Sequence, residues 1–201
     1  MFLVVTGSSA PVPAAARTLL VVGDSLSAAY GMEVDNGWVH LLQQRLRAEG
    51  LDYRVVNASL SGDTTAGGLA RLPRLLRQHR PELVIVALGA NDGLRGLPLA
   101  EMKRNIDAMI RKAREAGARV LLVGMALPPN YGRRYTEGFA RVYKDLARAR
   151  RVPLVPFLLD GVAIRPEYMQ PDRYHPNAKA QPLMLENVWK VLEPLLYVEN
   201  Q

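Results

Sequence analysis

A serine, a histidine and an aspartate stand at positions from which they could act together in hydrolysis. The chain has three histidines. His40 and His79 fall in predicted helices without a loop carboxylate beside them, whereas His175 follows Asp172 by three residues. That spacing brings the carboxylate within reach of the imidazole Nδ1–H, which leaves Nε2 as a base for a serine hydroxyl. We expect this serine to be Ser25, which follows a sharp turn after the first apolar run.

Three groups on predicted loops are candidate donors to a developing oxyanion. They are the backbone N–H of Ser25, the N–H of Gly62, which has no Cβ to block close approach, and the side-chain amide of Asn91. Taken singly, these residues are as typical of a helix cap, a turn glycine and an Asx turn, and His175 of a surface loop. Together with Asp172 they make a complete catalytic set, and this joint placement favours the catalytic interpretation.

The hydrophobic pattern predicts the elements that must position these residues. Apolar runs predict strands at 18–22, 53–56, 83–88, 120–123 and 152–157. Apolar residues at helical spacing predict helices over 38–50, 66–79, 99–116, 135–150 and 180–196. The alternation predicts an α/β fold, a three-layer α/β/α sandwich around a five-stranded parallel sheet. Ligand sites of such folds lie beyond the carboxyl ends of the strands, where the candidate residues fall.

Four blocks of the sequence resemble those of the GDSL, or SGNH, hydrolase superfamily, which is named for its Ser, Gly, Asn and His. The blocks are Gly23-Asp24-Ser25-Leu26-Ser27, Gly62, Gly89-Ala90-Asn91-Asp92 and Asp172-x-x-His175-Pro176. The likeness covers residues 18–196, and segments 61–64, 91–96 and 129–135 resemble the bacterial thioesterase I/lysophospholipase/arylesterase branch in particular. Arg173 and Tyr174 depart from that branch, which usually has a glycine and an apolar residue there.

The resemblance implies a flavodoxin-like SGNH hydrolase fold and a serine esterase or thioesterase that works through an acyl-enzyme. The implied substrates are aryl esters, lysophospholipids and acyl-CoA thioesters. Ser25 would be the nucleophile, His175 the base and Asp172 its orienting acid. Ser25, Gly62 and Asn91 would form the oxyanion hole, and no metal or organic cofactor is implied.

Three other functions are possible for such a chain. One is a carbohydrate O-deacetylase of the same superfamily. Another is a flavodoxin-like module that binds a nucleotide or flavin, but the chain lacks a G-x-G-x-x-G or GxxxxGK[ST] phosphate cradle after its first strand. The last is a basic binding protein without catalysis, which the complete catalytic set disfavours.

Apolar residues on two loops at the same edge predict a site for an acyl chain. Leu94 follows Asn91 within 93–98, and Leu127 and Tyr131 lie in 125–131. We expect them to cover part of an alkyl chain, because each buried CH₂ contributes about 0.8 kcal/mol. Two glycines beside Leu94 are expected to let that loop move. The alternative is that these side chains pack against neighbouring helices.

Composition narrows the classes of partner. The absence of cysteine excludes disulfides, thiolate catalysis and thiolate metal sites. The net charge of +7 suits nucleic acid or anionic lipid, but the basic residues are spread through predicted helices, as at Arg71, Arg74 and Arg77. We therefore expect an ordinary basic surface, a small acyl ester or thioester as substrate, no nucleic acid, peripheral contact with lipid, and a monomer.

The first sixteen residues differ from the rest of the chain. A short apolar piece is followed by small residues, prolines and the sequence Ala14-Ala15-Ala16, which resembles the end of a secretory signal. Residues 1–16 are therefore predicted to be a residual signal peptide or a disordered tail, and 17–201 a single hydrolase domain. This interpretation predicts a periplasmic or secreted enzyme.

Overall fold

The structure, a computed structural model, describes residues 17–197. Its strands are β1 (Arg17–Gly23), β2 (Tyr53–Asn57), β3 (Leu83–Ala87), β4 (Arg119–Val123) and β5 (Leu154–Val155). Its α-helices are α1 (Trp38–Ala48), α2 (Thr65–His79), α3 (Ala90–Leu94), α4 (Leu99–Glu115), α5 (Arg133–Arg150) and α6 (Gln181–Leu196). Every predicted strand and helix is present, although some of their bounds differ.

The strands form one parallel sheet in the order β2-β1-β3-β4-β5. In β1, Val21 is paired with Asn57 of β2, and Gly23 with Ala87 of β3. Helices α1 and α6 pack together on one face, and α2, α4 and α5 pack side by side on the other. The predicted three-layer α/β/α sandwich is therefore confirmed.

The core lies on both faces of the sheet, which explains why the central strands are apolar at successive positions. All five residues of β3 are buried. On α4, the apolar residues at helical spacing face this core, and those buried include Met102, Ile106, Met109 and Ile110. Helix α2 approaches closely at Gly68, where a Cβ would stand 2.2 Å from Leu88 Cδ1. Glycine at that position sets how near α2 can lie to the sheet.

Two local expectations are wrong. The fifth strand, expected over 152–157, is reduced to Leu154–Val155, because Pro153 and Pro156 flank it and proline has no N–H for a ladder bond. The segment after β3, expected to be a loop, forms the short helix α3, so Asn91 lies in a helical turn.

The predictions for residues 1–16 lie outside the described residues. A leader or tail, export to the periplasm and the extent of a single domain over 17–201 therefore stay predictions. Within 17–197, no helix is both long enough and apolar enough to cross a bilayer.

A buried carboxylate links the start of α2 to α3. Asp92 is 2% exposed, and its Oδ2 accepts a hydrogen bond from the Thr65 N–H at 2.9 Å, while its Oδ1 accepts one from the Thr65 hydroxyl. Asn105 of α4 donates to that hydroxyl at 3.1 Å. Because Asp92 and Thr65 are both buried away from water, the fold depends on their being paired.

We expect Asp92→Ala to lower the free energy of unfolding by about 2–3 kcal/mol, because it leaves a buried N–H and a buried hydroxyl without their acceptors. Urea unfolding followed by circular dichroism measures the change. The control is Asp145→Ala, which removes a half-exposed carboxylate whose one ion pair among the described residues is with Arg148, and it should change stability by less than about 0.5 kcal/mol. Equal losses in the two variants would contradict the linking role of Asp92.

Candidate active site

Ser25 lies on a tight turn directly after β1. The N–H groups of Ser27 and Ala28 donate to the carbonyl of Asp24, at 3.1 and 3.0 Å, which closes the turn. The strand ends at Gly23, where a Cβ would stand 2.8 Å from Ser27 Cβ and 2.9 Å from the hydroxyl of Ser59. The glycine therefore lets the loop after β1 and the loop after β2 meet closely.

The structure brings the three predicted triad residues together. His175 Nε2 lies 3.0 Å from Ser25 Oγ, and His175 Nδ1 lies 2.6 Å from Asp172 Oδ2. The other carboxylate oxygen of Asp172 accepts the backbone N–H groups of Tyr174 and His175, at 2.9 and 3.0 Å. Burial raises the pKa of Asp172, but the hydrogen bonds from His175 and Tyr174 outweigh it and lower the pKa to about 2. The carboxylate is thus ionised at neutral pH.

The loop that carries His175 is held by an isolated antiparallel bridge between Met169 and Pro176 and by side chains. Gln170 donates from its backbone to the carbonyl of His175 at 2.7 Å, and from its Nε2 to the carbonyls of Tyr30 and Pro176 at 2.7 and 3.0 Å. The ring of Tyr30 lies against the imidazole, with 4.4 Å between the ring centroids. Asn177 donates to the carbonyls at Glu167 and Met169.

Sequence reasoning missed Gln170 and Tyr30. No local pattern could have shown them, because the bond between the two joins residues 140 positions apart.

The three predicted oxyanion donors follow β1, β2 and β3: Ser25 and Gly62 lie on loops, and Asn91 lies in α3. Gly62 has φ +77°, a left-handed conformation that suits glycine. Among the described residues, the N–H groups of Ser25 and Gly62 donate to no protein acceptor. The Asn91 amide donates to the carbonyl of Asp63 at 2.9 Å and lies 3.5 Å from Asp24 Oδ2. Asn91 therefore links Asp63, which follows Gly62, to Asp24, which precedes Ser25.

Arg71 is a partly buried arginine whose hydrogen bonds hold these segments together. Its Nε donates to Asp63 Oδ2 at 2.8 Å, its Nη1 to the carbonyl of Ala58, and its Nη2 to the carbonyl of Gly23 at 3.3 Å. The expectation that Arg71 belongs to a solvated basic face is therefore wrong, although Arg74 and Arg77 are exposed as expected. The sequence carries no local signal for this role, because two of the three acceptors lie 13 and 48 residues away.

Asp24, next to the candidate nucleophile, is a buried acid that forms no ion pair with any residue of 17–197. It is 1% exposed, and its Oδ1 accepts the N–H of Leu26 at 3.0 Å. Burial raises its pKa from 3.8 to about 7, the Leu26 hydrogen bond opposes the rise, and the charges of Asp63 and Asp92 add to it. The group therefore gains a proton in the folded protein at a pH where an exposed aspartate would be ionised.

The leucines and the tyrosine expected to bind substrate line one cavity with the triad. The cavity has a volume of about 670 Å³, and its lining includes Ser25, His175, Leu94, Leu127 and Tyr131. Its walls are otherwise mainly apolar, with Met125, Phe157, Leu159 and Ile164 among them.

The loop beside the cavity is more firmly held than its two glycines suggested. The hydroxyl of Tyr131 donates to the carbonyl of Leu94 at 3.0 Å, and that of Tyr135 to the carbonyl of Leu97 at 3.1 Å. Gly93 lies inside α3, where a Cβ would stand 2.7 Å from a methyl group of Leu127. The expectation that glycine makes this loop mobile is therefore not supported at Gly93, whose place is set by packing.

Asp24→Asn tests the cost of burying this acid. The unfolded chain releases the Asp24 proton near pH 3.8 but the folded chain keeps it to about pH 7, so the folded state binds more protons between these values. Stability from this group is full below pH 3.8 and is lost as the pH rises to about 7. We expect the thermal midpoint of Asp24→Asn to exceed that of the unmodified protein by roughly 4–8 °C at pH 8 and by less at pH 5. A difference in thermal midpoint between the two proteins that does not change with pH would contradict the raised pKa of Asp24.

Comparison with known proteins identifies the family of the chain. Residues 21–182 match the model of the GDSL-like Lipase/Acylhydrolase family. The chain is 59% identical over 183 residues to Esterase TesA of Pseudomonas aeruginosa, which covers 91% of each chain. It is 46% identical over 183 residues to Thioesterase 1/protease 1/lysophospholipase L1 of Escherichia coli K12, which covers 91% of this chain and 86% of that one.

A solved structure extends the likeness to the fold. The psychrotrophic esterase EstA from Pseudoalteromonas sp., in a form inhibited by monoethylphosphonate, matches with a TM-score of 0.86 and 41% identity over 90% of this chain and all of that one. The family match spans most of the described residues, and both relatives named above exceed 40% identity over most of the chain. The relatives are named as esterases and a thioesterase. This chain therefore belongs to the GDSL-like Lipase/Acylhydrolase family and is an esterase.

Proposed function

We propose that this esterase cleaves acyl esters and thioesters through an acyl-enzyme formed on Ser25. The observation that carries the proposal is the chain of contacts from Ser25 Oγ to His175 Nε2 at 3.0 Å and from His175 Nδ1 to Asp172 at 2.6 Å. Nucleophile, base and orienting acid are therefore each within hydrogen-bond distance of the next.

The first step moves the Ser25 proton to His175. The ionised Asp172 accepts the Nδ1–H, so the lone pair of Nε2 faces the hydroxyl. As Ser25 attacks the acyl carbonyl, the imidazole becomes an imidazolium, and the negative charge of Asp172 stabilises it. The imidazolium then gives its proton to the leaving alcohol or thiol. In the second half of the reaction His175 takes a proton from water, which attacks the acyl-enzyme, and returns that proton to Ser25 as the carboxylic acid leaves.

The oxyanion is stabilised by donors from the segments that follow β1, β2 and β3. The N–H groups of Ser25 and Gly62 have no acceptor among the described residues. Asn91 donates one amide hydrogen to the Asp63 carbonyl at 2.9 Å, and the oxyanion would take its other hydrogen in place of the longer, 3.5 Å contact with Asp24 Oδ2. Each such donor in other serine hydrolases lowers the barrier by about 3–4 kcal/mol. The support from Arg71 and Arg95 matters here because both hold the segment around Gly62 in place.

The cavity favours acyl groups longer than acetyl. An apolar space of about 670 Å³ next to Ser25 is far larger than an acetyl group needs, so a carbohydrate O-deacetylase is the less favoured alternative. Lysophospholipids and acyl-CoA thioesters carry the long acyl group that such a space can hold, and aryl esters carry an apolar aromatic leaving group. Family membership also disfavours a flavodoxin-like ligand-binding module.

Ser25→Ala tests the nucleophile. We expect kcat for a nitrophenyl ester to fall by more than about a thousandfold, with the circular dichroism spectrum unchanged, because loss of a triad member removes covalent catalysis. A fluorophosphonate should label the unmodified protein at Ser25 and leave the variant unlabelled. The control is Ser59→Ala in the neighbouring loop, which should keep most of the activity. Labelling of the Ser25→Ala variant would assign the nucleophile elsewhere.

Leu94→Ala and Leu127→Ala test the acyl cavity. We expect kcat/KM for nitrophenyl esters to rise from acetate to medium chains and to fall about fivefold for the longer esters in each variant, since one or two lost methylene contacts are worth about 1 kcal/mol. Leu183→Ala, on the outer surface of α6, is the control and should leave the profile unchanged. An acetate-peaked profile unaffected by the cavity variants would favour the deacetylase instead.

A further inference from the structure

Arg173 adopts a backbone conformation that is unfavourable for its residue type. Its φ is +60°, in the left-handed region that favours glycine. Its own N–H donates to the carbonyl of Gln170 at 2.9 Å, and its neighbour Tyr174 donates to Asp172, so the turn is fixed on both sides. Glycine would fit this turn without strain, and yet the residue here is an arginine, with a long cationic side chain.

Two other arginines with left-handed φ have a simpler explanation. Arg80 and Arg151 follow the last residues of α2 and α5, where a left-handed residue commonly ends a helix. Arg80 precedes β3 and Arg151 precedes β5, whereas Ser25 follows β1. Because the strands are parallel, both arginines lie at the edge of the sheet opposite Ser25. Arg173 caps no helix, so helix termination does not account for it.

The side chain of Arg173 is exposed at the cavity and is not neutralised. It lines the cavity with Ser25 and His175. Among the described residues it takes part in no ion pair or side-chain hydrogen bond. The nearest carboxylate in the sequence, Asp172, already accepts three N–H groups from Tyr174 and His175. Among the residues that line the cavity, Arg173 is the one permanent cation.

We propose that Arg173 binds a phosphate group on the leaving part of the acyl donor and so makes the enzyme selective for phosphate-bearing esters and thioesters. This inference rests on the function proposed above. The leaving atom receives its proton from His175, two residues along the same turn, so Arg173 belongs to the side of the site where the leaving group departs. The acyl chain lies on the other side, toward Leu94 and Leu127.

The chemistry of the guanidinium suits this role. Its planar donors match two phosphate oxygens at once, and the apolar cavity walls beside it weaken screening by water. The net charge of +7 also attracts anionic substrates from solution. Two kinds of donor carry such a phosphate: a nucleotide thioester such as an acyl-CoA, and a lysophospholipid with its headgroup.

The test compares three decanoyl substrates that share one acyl chain. They are decanoyl-CoA, a decanoyl lysophosphatidylglycerol and nitrophenyl decanoate, which has no phosphate. Arg173→Gly removes the cation and relieves the backbone strain, so the variant should be at least as stable as the unmodified protein. Arg80→Gly is the matched control, because it makes the same change in charge and in backbone at the opposite edge of the sheet.

We expect Arg173→Gly to lower kcat/KM by about tenfold for the phosphate-bearing substrates, mainly through KM, because the lost contact binds substrate and transition state alike. Nitrophenyl decanoate should be hydrolysed as before, and Arg80→Gly should change none of the rates beyond twofold. For the phosphate-bearing substrates, kcat/KM of Arg173→Lys should lie between the values of the unmodified protein and of Arg173→Gly, since lysine keeps the charge but not the paired donors. A loss confined to decanoyl-CoA identifies a nucleotide thioester, and a loss confined to the lysophospholipid identifies a headgroup.

Two results would overturn the inference. An equal loss on all three substrates would show that Arg173 only shapes the His175 loop, and no loss on any would show that it is merely solvated. Both outcomes leave the proposed function intact, because the unmodified enzyme still hydrolyses its esters. Failure of the unmodified enzyme on every substrate, nitrophenyl decanoate included, would instead refute the proposed function.

Discussion

The adjacency of β1 and β3 is the constraint on which the site depends. Their parallel pairing, with Gly23 opposite Ala87, places the turn that carries Ser25 beside the short helix that carries Asn91. Because β2 flanks β1 on its other side, the helices that follow β1 and β3 cover opposite faces of the sheet. Doubly wound sheets open a crevice at such a point, and the candidate site lies in it.

A buried polar layer beneath this crevice keeps the loops at fixed distances. Asp63 binds Arg71 through its carboxylate and Asn91 through its carbonyl, and Asp92 binds Thr65. The bonds of Asn91 to Asp63 and of Thr65 to Asp92 join the segment after β3 to the segment after β2, so neither segment can shift without breaking contact with the other. Asp24 has no such cation, and burial raises its pKa. The site therefore contains an acid whose ionisation the fold opposes, directly beside the proposed nucleophile.

The loop around His175 combines rigidity with exposure. Hydrogen bonds from Gln170 and Asn177 to backbone carbonyls replace the regular ladder that a strand or helix would supply. The imidazole is held between Tyr30 and Asp172 while the residues before it remain at the mouth of the cavity. One short segment therefore fixes the base and also presents Arg173 where a leaving group would pass.

The sequence by itself determined what depends on neighbours along the chain. Apolar periodicity fixed the order of strands and helices, and the three-residue spacing of Asp172 and His175 made their hydrogen bond predictable, because both depend on local geometry. The sequence pattern predicted a β5 that is too long, although the flanking prolines were visible, and it did not predict α3. Only the tertiary structure decided which strands are neighbours, how Ser25 meets a histidine 150 residues away, why Arg71 bonds to Gly23, and why Asp24 is buried. These contacts arise from the packing of distant segments, for which a local pattern holds no information.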